Sequence, residues 1–172
     1  DVDLRPVGES GKGYIGANFS GIGTNFPAVQ DMIKHVVDAG NSKADPADVG
    51  GVLYNRGMFN AVIVAEAIAA AQNATGKKSI TGADMRVGLE TFDLSAARLG
   101  ELGLAGFTAP IKGDCADHEG AGSVFMQQWN GSSWDQISDP IAPMTDEVGP
   151  LLTDAAAQYV SDKPEWKTQT CN

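Results

Sequence analysis

The dipeptide Asn130-Gly131, with residues 124–129 before it and 134–138 after it, constrains this chain more than any other feature. Asn and Gly tolerate the positive φ angles that hairpin turns demand. The flanking runs are rich in apolar and aromatic residues and are expected to form two adjacent antiparallel strands, with Trp129 and Trp134 near the turn. An earlier strand-like run, residues 12–20, mixes Tyr14, Ile15 and Phe19 with glycines and leads into the loop Gly21-Ile22-Gly23-Thr24.

Helical spacing accounts for much of the rest. Val29, Met32, Ile33, Val36 and Val37 recur at the period of a one-faced helix that Asn25 can cap, Pro27 suits and Gly40 ends. After a polar connector, residues 53–71 run apolar, with Met58, Val62, Ala65 and Ile68 on one face. So few polar residues interrupt the run that the helix is expected to pack inside the protein. Thr81 is placed to cap a third helix whose buried stripe is Met85, Leu89 and Phe92. Residues 93–99 read as a further helical turn or two, and 107–111 as a short strand. A last helix is expected over 146–160, with Val148, Leu151, Leu152, Ala155 and Tyr159 as its apolar face.

Composition excludes some partners. With 42% hydrophobic and 20% charged residues, the chain of 172 has the makings of a folded core. A net charge of -10 opposes phosphate backbones and anionic lipid surfaces, so nucleic acid is not an expected partner. No stretch reaches the roughly 20 apolar residues that span a bilayer. The opening DVDLRPVGES is unlike an export signal, which is expected to have been removed already.

Cys115 and Cys171 are the only cysteines. An even count fits one disulfide formed in an oxidising compartment, and two free thiols are the alternative. A bridge would close the loop between them at a gain of about 4 kcal/mol, and would pin the polar tail KPEWKTQTCN.

Motifs of catalysis and metal binding are weak. Asp114, Cys115, Asp117, His118 and Glu119 carry groups that ligate zinc, but no paired Cys or His spacing supports a site, and neither a metal nor a cofactor is expected. The run from Gly8 to Gly13 imitates a phosphate loop and fails, because Gly13 stands where Ser or Thr is required. There is no G-x-S-x-G nucleophile turn. An enzyme is not expected; the enzymatic alternative is a small hydrolase using His118 with Asp117 or Asp114.

Four stretches occur in one order: Tyr54-Asn55-Arg56-Gly57 opening an apolar helix, Gly106 to Lys112, Asp114 to Gly120, and the hairpin from Phe125 to Trp134. Together they resemble the C-terminal half of type I periplasmic solute-binding proteins of ABC importers, in the Leu/Ile/Val-binding subgroup. The resemblance implies an α/β chain forming part of a two-lobe fold whose N-terminal half is missing. Residues 1–20 would supply a strand of one lobe, 21–112 the hinge and helical part of the other, and 113–172 the returning hairpin and terminal helix. It also implies a periplasmic or extracytoplasmic carrier that delivers branched-chain amino acids or small aromatic carboxylates to a membrane permease. The alternative is a module that self-associates, or is completed by a partner, through the surface of the missing half.

In that layout, Tyr54, Asn55, Arg56, Phe59, Phe19 and Ser20 would contact ligand. Arg56 would hold a carboxylate by a bidentate pair, with Tyr54 and Phe59 offering aromatic surface. Arg56 capping local carbonyls or pairing with Asp48, with the aromatic residues as ordinary core, is the structural alternative. Gly21, Gly23 and Thr24 would act as a hinge, absorbing backbone rotation on closure.

Overall fold

Residues 3–166 and 171 are described by a computed structural model, and the chain divides into two units, Asp1–Ile141 and Ala142–Asn172. The fold is mixed α/β, with helices and a small antiparallel sheet. In chain order the first unit carries β1 (Ile15–Asn18), α1 (Pro27–Met32), α2 (Val52–Thr75), α3 (Gly82–Leu89), β2 (Asp93–Leu94), α4 (Ala96–Glu101), β3 (Ile111–Lys112), β4 (Phe125–Trp129) and β5 (Trp134–Gln136). The second unit carries α5 (Thr145–Asp162). Of the polar tail, residues 167–170 and 172 lie outside the described residues.

The expected hairpin forms. Gly131 turns the chain at φ +109, where an L side chain would be strained. Asn130 Oδ1 accepts from the N–H groups of Ser132 and Ser133, and β4 pairs with β5 so that Trp129 faces Trp134. The other edge of β4 is taken by β1, antiparallel, with Ile15 opposite Gln128 and Asn18 opposite Phe125. The Trp129 indole is buried against Trp134 and donates to Gly8 O at 3.0 Å.

The core gathers around Phe107, which is fully buried. It meets Phe26 edge-on at 5.0 Å and Phe59 at 5.4 Å, with Val29, Leu94, Leu99 and Leu104 in the same cluster. The expected strand at 107–111 shortens to β3, because Phe107 turns back to donate to Leu104 O and Pro110 has no N–H for a ladder. β3 instead pairs with β2, Leu94 opposite Ile111.

Other boundaries shift for local reasons. Phe26, not Asn25, is the N-cap of α1, since the fixed φ of Pro27 starts the helix there, and residues 33–37 continue it with π-helical bonding. α2 is the expected long helix, but it is not enclosed: Asn55, Met58, Phe59, Ala67 and Ala71 are buried, while Ala65 and Ile68 are exposed. α3 opens on a capping box. Thr81 Oγ1 accepts from the Asp84 N–H, and the Asp84 carboxylate accepts from the Thr81 N–H. α5 forms as expected, yet its apolar residues are not covered; Leu151 is 68% exposed. Both cysteines are disulfide-bonded, so the bridge is present and the two-thiol alternative falls.

Candidate functional site

The start of α2 lies against the loop that follows β1, and most of the residues expected to contact ligand meet there. Asn55 is fully buried, and its Nδ2 donates to Gly21 O at 3.1 Å and to Gly23 O at 3.0 Å. Its side chain therefore holds the glycine loop. The N–H groups of Gly21 and Gly23 donate in turn to Phe107 O and Gly50 O, and Thr24 O accepts from Gln30 Nε2. All three expected hinge residues are thus bonded to neighbouring segments.

Arg56 does not pair with Asp48, whose carboxylate accepts from Arg5. Its Nη2 donates to Asn18 Oδ1 at 3.3 Å, and its guanidinium lies 4.4 Å from the centre of the Phe19 ring. The Tyr54 hydroxyl is directed to Met32 Sδ at 3.1 Å. Ser20 is fully buried, and its carbonyl accepts from Asn18 Nδ2. Phe59 belongs to the core cluster.

A cavity of about 790 Å³ opens beside this cluster, within the first unit, and takes only Phe19 and Phe59 from the six. Its apolar wall is made by α2, α3 and β3, through Ile63, Met85, Leu89 and Ile111, with Phe92 from the turn between α3 and β2. Its polar side comes from residues 113–124, which bring Asp114, Asp117, His118 and Glu119 into the lining. Tyr54, Asn55, Arg56 and Ser20 are not among its walls. The stripe of α3 marked it in part, since Met85, Leu89 and Phe92 were expected to be buried together; here they face a cavity, and Leu89 is 43% exposed.

Two ion pairs bracket α3. Arg86 Nε donates to Glu90 at 2.7 Å, one helical turn on. At the other end, Lys77 Nζ lies 2.7 Å from Asp84 Oδ1. That ammonium first, and then the N–H and hydroxyl of Thr81, hold the Asp84 carboxyl down at about 2.

Asp114 and Asp117, expected to partner His118 in the enzymatic alternative, are engaged by the main chain. Asp114 Oδ1 accepts from the Ala116 N–H and Asp117 Oδ1 from the Glu119 N–H, both as local turns. Among the described residues no hydrogen bond joins His118 to either carboxylate, and no group of three or more His, Cys, Asp or Glu is placed to hold a metal ion. No helix among them is long and apolar enough to cross a membrane.

No family model and no curated protein matches the chain. A solved structure does. The crystal structure of an ABC transporter permease from the Pseudomonas fluorescens group matches all of this chain, at 34% sequence identity and a TM-score of 0.89. The chain spans 41% of the length of that protein.

This match corrects the expected kinship. The protein that shares the fold over the whole chain is described as a permease, which overturns the assignment to solute-binding proteins of the Leu/Ile/Val-binding type and the role of periplasmic amino-acid carrier. The self-associating module and the small hydrolase find no support among the described residues, where the carboxylates beside His118 serve turns instead.

Proposed function

We propose that this chain is part of an ABC transporter component related to that permease, and that it serves the transport assembly without catalysing a reaction of its own. The observation that carries the proposal is the agreement in fold along the entire chain, at a TM-score of 0.89, together with 34% identity. Identity at that level over a full-length superposition is the mark of shared ancestry in this segment. Fold alone would be a weaker guide to function.

The same proposal places the chain in an oxidising compartment, a placement favoured by the disulfide. It also includes a two-lobed architecture for a longer polypeptide, which the 41% coverage of the neighbour leaves room for.

Affinity isolation from native membranes in mild detergent tests the proposal. An ATP-hydrolysing polypeptide is expected to co-purify, with ATPase activity that antibody against this chain depletes. Isolation free of any such polypeptide would overturn it.

A further inference from the structure

We propose that the cavity between α3, β3 and residues 113–124 is a binding site for a small molecule that carries an apolar ring system and a protonated amine. The proposal rests on the cavity alone and does not depend on the transporter assignment.

The cavity's size and wall set the body of the ligand. At about 790 Å³ it falls within the roughly 300–1,000 Å³ typical of small-molecule sites. Phe59, Phe92, Met85, Leu89 and Ile111 line it with aromatic, thioether and branched surface, which favours a ring-bearing ligand over a sugar or a phosphate ester. Leu89, 43% exposed, has apolar surface that such a ligand would cover.

The charges of the lining set its sign. Arg86 is engaged with Glu90, which leaves Asp114, Asp117 and Glu119 against Lys112 among the charged residues of the wall. In both Asp114 and Asp117 the main chain occupies Oδ1, so Oδ2 remains to receive a cation. The local turns that take these N–H bonds also hold the two carboxylates in place. An amine entering here gains charge-assisted hydrogen bonds, and the net charge of -10 on the chain draws it in. A carboxylate ligand would meet the reverse field.

Three probes with one ring system separate body from charge: tryptamine, its uncharged alcohol tryptophol, and indoleacetate. Calorimetric titration at low salt is expected to show tryptamine binding about five-fold more tightly than tryptophol, with indoleacetate weakest. Added salt should erase the difference between the first two. The double variant Asp114→Asn, Asp117→Asn, which keeps the Oδ1 acceptor of each turn, should remove the preference for tryptamine and leave tryptophol unchanged. Leu89→Asn, at an exposed position that the fold can spare, should weaken all three. Circular dichroism verifies that each variant is folded. Indoleacetate binding as tightly as tryptamine, a preference that survives the double variant, or no binding of any probe would each overturn the proposal.

Discussion

Arg98 on α4 reaches across to α2 and sets two nitrogens on one carboxylate, with Nε 3.0 Å and Nη2 2.7 Å from the oxygens of Glu66. Its Nη1 also meets Glu101, and the two carboxylates, Glu66 first, raise the guanidinium further above its already high pKa. The fork is what a lysine cannot reproduce. Arg98→Lys keeps the charge and loses the second hydrogen bond, and because the pair is partly exposed the cost should be modest: a fall in Tm of about 2 °C by calorimetry. Glu66→Gln should match it, and the double variant should cost no more than either alone.

Asn55 is the buried tie between α2 and the glycine loop. Asn55→Ala removes both donors and leaves the carbonyls of Gly21 and Gly23 without them. The expected loss is about 2 kcal/mol, read as a lower midpoint in urea at unchanged slope. Wild-type stability in this variant would show that the loop is held by other means.

Two glycines in helices should respond in opposite directions. A Cβ on Gly88 would lie 2.0 Å from the main-chain oxygen of Ala67, so α2 and α3 would have to part. Gly88→Ala should cost about 2 kcal/mol or more. Gly57, inside α2, has open space around the same position, and Gly57→Ala should stabilise by about 0.5–1 kcal/mol. Urea denaturation of the two variants side by side checks the pair.

Asp84 gives stability a defined pH dependence. Its folded carboxyl is held at about 2, below the ordinary 3.8, so the unfolded chain takes up its proton first as pH falls. The stabilisation is full above about pH 4 and is lost between there and about pH 2. In Asp84→Asn that part of the acid dependence should disappear, while stability at neutral pH falls because Lys77 loses its partner. Urea midpoints measured from pH 6 to about pH 2 for both proteins check this. An unchanged acid limb in Asp84→Asn would show that other groups carry it.

Local chemistry alone determined several elements: the hairpin at Asn130-Gly131, the cap at Thr81, the long helix of residues 52–75 and the terminal helix. Each follows from backbone preferences, capping or periodicity within a short window of chain. The resemblance to solute-binding proteins rested on similarly short motifs and was overturned by the match to a protein described as a permease, since no single motif was diagnostic.

Tertiary structure decided what depended on residues far apart in the chain. It set β1 on the free edge of β4, paired β2 with β3, and placed Glu66 opposite Arg98. It also separated the expected ligand cluster from the cavity. Asn55, Tyr54 and Arg56 had the right chemistry for a ligand, but packing turned the Asn55 amide nitrogen, the Tyr54 hydroxyl and Arg56 Nη2 to partners within the protein. The acidic turn at 114–119, read in sequence for metal and for a hydrolase, became one side of a cavity because the chain brought it beside α3. Side-chain type can be read from sequence; which partners satisfy a side chain depends on the fold, because a buried polar group must take whatever donor or acceptor packing leaves within reach.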